Sequence, residues 1–341
     1  MRKLVLLLAV FVVIVSSPVS AWNRVGHWTV ASIAYRELNE TPAGQMVIRE
    51  TGAALRLHPA FPTAWKRDLG ELHGKKFDAL TPEEVDYGLF LLAASWPDDI
   101  KDDEKPEYRV EGQEIHGNWH YIDQHYPADP AIKPEPENLA VALTKASNSL
   151  KVTDGGPVQR AVSLCWVFHL VGDAHQPLHT VSWMTPQTPA PDGDSGGNKW
   201  IVRVSAKADP QTLHAFWDGV LECPLKADDI QNTAQTVVQD YPVKAIAGLE
   251  NPTLNSWLKR SYDVAARYVY LNGTLHATLD DKDISYSRQR AEFIATYKSA
   301  EILTPHYQNT AQNIGREQIA LAGNQLARVL ETYRYPAVGA P

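Results

Sequence analysis

His169 and Asp173 stand four residues apart inside an apolar run that begins near Val158. On a helix, positions i and i+4 share one face. A helix that is apolar all round is a buried one, so both groups face the interior. There a carboxylate and an imidazole need a partner or a metal. His179 follows, beyond the helix-stopping Pro177. A histidine and a carboxylate on one helical face, with a second histidine just past the helix end, suit zinc. A structural His–Asp hydrogen bond beside an unrelated loop histidine fits this one segment equally well.

The rest of the chain favours the metal. His214 and Asp218 repeat the His-x-x-x-Asp spacing, and Trp119-His120-Tyr121-Ile122-Asp123 sets another histidine near an acid. Asp98 follows Ala94-Ser95-Trp96-Pro97 at the end of a predicted helix. The chain opens Met1-Arg2-Lys3, runs apolar from Leu4 to Val15 and continues Ser16-Ser17-Pro18-Val19-Ser20-Ala21. That is the pattern of an export leader, with Val19 and Ala21 at the −3 and −1 positions. It predicts cleavage before Trp22, a leader of residues 1–21, a functional domain of residues 22–341, and a secreted or periplasmic product with no membrane anchor. His27 then lies close to the new N-terminus. The apolar run of the leader is short for a membrane span.

Composition bounds the chemistry further. The 341 residues carry a net charge of −8, which becomes −10 when the leader takes Arg2 and Lys3 with it. An acidic chain is not a nucleic-acid-coating surface, although bound cations can supply positive charge locally. Cys165 and Cys223 are the two cysteines. They permit at most one disulfide and no thiolate zinc site, so any metal is held by nitrogen and oxygen.

These residues must be positioned by helices. Apolar spacing predicts helices over 23–38, 136–150, 157–175, 229–240, 253–271 and roughly 305–334. Thr41-Pro42 marks the start of another helix that Gly52 should end. Thr81-Pro82-Glu83-Glu84 reads as a capping box before an apolar helix to about Ala94. The best strand candidate is Lys199–Val204. Segments 97–119 and 180–198 read as polar loops, the second Pro/Gly/Asp-rich and mobile. No internal repeat and no interdomain linker is visible.

With these motifs in hand, the chain resembles the exported trinuclear-zinc nucleases and 3′-nucleotidases, whose founding members are single-strand-specific enzymes of moulds and plants. The resemblance rests on Trp22 with Gly26-His27, Ala94-Ser95-Trp96-Pro97-Asp98, His120-Tyr121-Ile122-Asp123, the run from His169 through Gly172-Asp173 to Gln176-Pro177-Leu178-His179, Gly196-Gly197-Asn198, and Leu213-His214 with Trp217-Asp218. All stand in family order. The resemblance implies a mainly α fold, a single helical domain of the zinc phospholipase C and P-one-type nuclease architecture with a minor β-hairpin.

It also implies three zinc ions. Asp98, His120, His169 and Asp173 would bind one; the amine and carbonyl of Trp22, His27 and a bridging Asp173 would bind a second. His179, His214 and Asp218 would bind the third. The implied reaction is hydrolysis of single-stranded DNA and RNA, and of nucleotides, to 5′-phosphorylated products by water activated between the paired zincs. Asp123 resembles the family's acid beside the attacking water, Tyr121 a base-stacking aromatic and Asn198 a substrate-contacting asparagine; with Asp98, Asp123 forms the catalytic carboxylate set. Lys101 stands where many members carry arginine, and it lacks the bidentate fork. A monomer is expected. The alternatives are a zinc phospholipase C, whose last ligand is usually Glu rather than Asp218, and a non-catalytic exported zinc-binding protein. His58, His73, His116, His125, His276 and His306 match no family motif and read as surface or structural, and His175 stands at a variable motif position.

Overall fold

Asn23 starts the first helix by accepting a hydrogen bond from the Gly26 amide at 3.0 Å, the usual task of an N-cap asparagine. The computed structural model describes residues 22–333 apart from 103, 152–155, 247–252, 283 and 285–288. The expected leader, residues 1–21, lies outside the described residues. Helix α1 (Arg24–Asn39) is nearly all buried from Val25 to Ala34. It packs against α2 (Pro42–Leu55), α4 (Pro82–Asp99), α6 (Gly156–Asp173), α8 (Ala227–Asp240) and the long α11 (Pro305–Glu331). The remaining α-helices among the described residues are α3 (Lys66–His73), α5 (Leu139–Lys151), α7 (Leu213–Asp218), α9 (Leu254–Val264) and α10 (Arg290–Tyr297).

Three helix ends differ from the sequence expectation. The stretch expected as one helix over 253–271 leaves α-helical geometry after Val264 and continues as a π-helical turn over Ala265–Val269. Helix α2 runs through Gly52 to Leu55. Gly52 is there because the Asp86 carboxylate lies against it, with its oxygen 2.1 Å from where a Cβ would stand. Helix α4 begins at the expected capping box but continues past Ala94, through Pro97, to Asp99. That extra turn carries Asp98. Helices α3, α7 and α10 are short and leave little periodicity to read.

Strands are few and serve the site. β1 (His125–Tyr126) pairs in parallel with β2 (Ser182–Trp183). β3 (Trp200–Arg203) is the predicted strand. It pairs antiparallel with β4 (Gln211–Thr212) and β5 (Thr278–Leu279), and in parallel with β6 (Glu301–Ile302). β4 leads straight into α7, whose cap Thr212 accepts from the Ala215 amide at 3.0 Å.

The segment 180–198 is not the loose loop that its composition suggests. Asp194 is fully buried and accepts from the Trp183 amide at 2.7 Å, and buried Thr188 donates to the Trp183 carbonyl at 3.0 Å. Cys165 and Cys223 are both free. Among the described residues, no helix is long and apolar enough to cross a membrane.

Candidate metal centre

Three imidazoles converge on one carboxylate. Asp173 ends α6 with no exposure to solvent. His27 Nε2 lies 3.3 Å from its Oδ1, and His169 Nε2 and His120 Nδ1 lie 3.2 and 3.4 Å from its Oδ2. No well-formed hydrogen bond reaches either oxygen. His169 rises from the same helical face four residues earlier. Its ring is set by donation from Nδ1 to the Ala94 carbonyl at 2.8 Å, which turns Nε2 toward His120 Nδ1, 2.8 Å away. His27 comes from α1 and stacks on His169 with ring centres 3.9 Å apart. Gly172 makes room for it, since a Cβ there would sit 2.8 Å from His27 Nδ1. Asp98 completes the group with Oδ1 3.7 Å from both His120 Nδ1 and His169 Nε2.

The electrostatics suit a cation. Burial opposes ionisation of Asp173, but the imidazoles of His169, His120 and His27 outweigh it and hold the carboxyl well below its usual range. Asp98 is likewise lowered against its burial, by Lys101 and then by the histidines. Burial pushes His120 down to about 4. For His169, burial is outweighed by Asp173 and Asp98, and its pKa is raised.

A second group lies apart from the first. His179 sits at the end of the 3-10 turn Pro177–His179 and donates from Nδ1 to the His120 carbonyl at 2.6 Å. His214 in α7 donates from Nδ1 to the Gly196 carbonyl at 2.7 Å. Each Nδ1 therefore carries the proton of a neutral ring, and burial keeps the rings neutral, at about 4 and about 3. Their Nε2 atoms, both bearing lone pairs, face each other at 3.1 Å. Two facing lone pairs repel unless a cation lies between them. Asp218 Oδ2 stands 3.4 Å from His214 Nε2, completing a buried two-nitrogen, one-oxygen set.

The two groups are tied by main chain. Ile122 donates to the His179 carbonyl at 2.8 Å, Ser182 to the Gln124 carbonyl at 2.9 Å, and β1 and β2 extend the ladder. Gly196 has a positive φ of 61°, and a Cβ there would meet the Leu178 carbonyl at 2.4 Å, so the Gly-Gly-Asn turn can press against the His179 segment.

A model of the S1/P1 nuclease family matches residues 22–334. The chain belongs to the S1/P1 nuclease family. It is 26% identical over 282 residues to Endonuclease 4 of Arabidopsis thaliana, covering 76% of this chain and 79% of the relative. It is 27% identical to Endonuclease 5 of the same plant over 226 residues, 60% of this chain and 72% of the relative. With Endonuclease 1, also from Arabidopsis thaliana, identity is 22% over 332 residues, 96% of this chain and 92% of the relative. The nuclease is a metal-dependent hydrolase with phosphoesterase action on nucleic acids.

Of the residues that the sequence proposes for substrate, Lys101 touches the first group through Asp98, and Tyr121 and Asn198 lie outside both. Lys101 Nζ is 2.6 Å from Asp98 Oδ1. Tyr121 is 39% exposed, and with Asp123 it lines a cavity shared with Asn118, Glu135 and Asn138. Burial, then the neighbouring Asp194, Asp192 and Glu135, push the Asp123 carboxyl up to about 7. Asn198 donates to the Ser195 carbonyl at 2.9 Å. Trp22 is fully buried, with its indole N–H donating to the Gly172 carbonyl at 3.1 Å.

His175 turns away from the metal groups. It donates to the Val171 carbonyl at 2.8 Å and packs by Trp257. His58 is buried against Trp65, and His116 stacks on Trp119. Gln176, a motif residue with no role expected from the sequence, donates from Nε2 to Asp218 Oδ1 at 2.6 Å. Its place beside His179 in the motif was the available signal.

Proposed function

We propose that the nuclease binds three zinc ions and hydrolyses single-stranded DNA and RNA to 5′-phosphorylated products, with 3′-nucleotidase activity. The observation that carries this reading is the pair of neutral histidines whose unprotonated Nε2 atoms face each other at 3.1 Å beside the Asp218 carboxylate. All candidate ligands are nitrogen or oxygen donors, the set zinc accepts. Asp98, His120, His169 and Asp173 hold one ion. The Trp22 amine and carbonyl, His27 and a shared Asp173 hold a second. His179, His214 and Asp218 hold the third. Bound zinc supplies Lewis acidity toward a phosphoryl group and acidifies bound water.

The chain's own residues do the rest. Asp123, whose carboxyl is pushed up to about 7, exchanges a proton near neutral pH. Lys101 places an ammonium beside Asp98, where it attracts the phosphate. The exposed Tyr121 ring offers a face to an unpaired base, and Asn198 supplies an amide for the backbone. Residues 1–21 are an export leader removed before Trp22, the mature nuclease is secreted or periplasmic, and it acts as a monomer.

The test is zinc content of the protein beginning at Trp22, measured together with rates on single-stranded and duplex DNA and with analysis of product ends. Three zincs, preference for the single strand and 5′-phosphate ends are expected. Products ending in 3′-phosphate, or equal rates on duplex, contradict the substrate reading.

A further inference from the structure

Gln176 lies between the last residue of α6 and the 3-10 turn that carries His179. Its side chain is fully buried. The amide uses both ends: Oε1 accepts from the Leu178 amide at 2.5 Å, and Nε2 donates to Asp218 Oδ1 at 2.6 Å. The backbone N–H of Leu178 can only donate, so the oxygen end of the amide must face it. The NH2 end is thereby committed to Asp218, 42 residues further along the chain. Among the described residues, that NH2 is the one hydrogen-bond donor to the Asp218 carboxylate, which is otherwise pressed into the interior.

We infer that Gln176 is a positioning residue for the third metal group, holding Asp218 Oδ1 so that Oδ2 faces His214. The inference rests on the three-zinc reading above. Buried carboxylate ligands need an outer partner that satisfies the non-ligating oxygen. Gln176 supplies it and, through Leu178, fixes the turn on which the next residue, His179, is presented. One side chain thus aligns ligands from two segments, His179 and the His214–Asp218 helix. Neither neighbouring residue type can replace it. Glutamate keeps the acceptor for Leu178 but has no N–H to offer Asp218, and it sets two carboxylates in contact. Asparagine is a methylene too short to span both partners.

The experiment titrates a chelator against the zinc-loaded mature enzyme and measures the zinc retained, for wild type, Gln176→Met and Gln176→Glu. In both variants one ion of three should leave at roughly 10–100-fold lower chelator strength, the usual cost of losing an outer partner. The two ions that share Asp173 should be held as in wild type. Gln176→Glu keeps the turn's hydrogen bond, so it decides the matter if Gln176→Met does not fold. Retention of all three ions at wild-type strength by Gln176→Glu, or equal weakening of all three in either folded variant, overturns the inference. A wild-type enzyme holding fewer than three zincs would instead refute the reading on which it rests.

Discussion

The wall that holds the metal groups and the rim that would meet substrate are built in opposite ways. His27, His120, His169, Asp173, His179, His214 and Asp218 are all buried, and three of the histidines are aimed by main-chain carbonyls. Tyr121 is exposed, and Asn198 and Lys101 are reached from solvent. Charges in the wall cannot be left unpaired without cost, so any change there propagates. On the rim, Tyr121 can be altered by itself, whereas Lys101 is tied to the wall through Asp98. The buried wall and the more accessible rim thus answer to different physical constraints.

The strongest challenge to this division is Asp173→Asn. Asp173 is the side chain assigned to two ions, and a neutral amide cannot hold them as an anion does. Turnover should fall roughly 10³-fold or more, with fewer than three zincs per chain by metal analysis. Full zinc with wild-type turnover would remove Asp173 from its bridging place.

Next in size is the N-terminus. One extra residue before Trp22 converts its amine, with a pKa of roughly 8, into an amide nitrogen whose lone pair is delocalised. Loss of one zinc and a fall of about 10²-fold in rate are expected, with the far-UV circular dichroism unchanged. Equal zinc and equal rates in the two proteins would show that the amine is not a ligand.

Rim changes should be milder. Tyr121→Ala removes stacking worth about 1–3 kcal/mol, so KM should rise about tenfold while kcat changes less. A kcat loss larger than the KM rise would move Tyr121 into the wall.

The last effect is on stability and not on turnover. The Asp123 carboxyl is pushed up to about 7, above its unfolded value of about 3.9, by burial and by Asp194, Asp192 and Glu135. A raised carboxyl favours folding at low pH, and that contribution disappears as pH climbs from about 4 through about 7. Asp123→Asn should therefore raise the Tm of metal-free protein at pH 8 and leave it nearly unchanged at pH 4. A gain confined to pH 4 would reverse the sign.

Much of the wall could be read from the sequence, because two of its pairs obey helical spacing. His169 with Asp173, and His214 with Asp218, need only four-residue periodicity to face one way. The helix that carries the second pair has six residues and gives no such pattern of its own. Asp98 is expected just beyond a helix that apolar spacing carries to about Ala94; the helix continues through Pro97 and presents Asp98 from its last turn. Gln176 and Gly172 were opaque for another reason. Both stand in the His169–His179 motif, but their work is done against Asp218 and His27, far off in the chain, so the motif marks their places without telling their partners. Segment 180–198 misled through composition alone, since proline, glycine and aspartate are also what a tightly pinned turn requires.

The acceptors that aim His169, His179 and His214 are the carbonyls of Ala94, His120 and Gly196. No side chain encodes them. Ala94 can change only to a residue that its fully buried place accepts, but the acceptor survives any such substitution because it belongs to the peptide bond. The aim of these rings is thus inherited with the path of the backbone. Gln176, by contrast, reaches Asp218 through its own side chain, so that contact is lost whenever the letter changes.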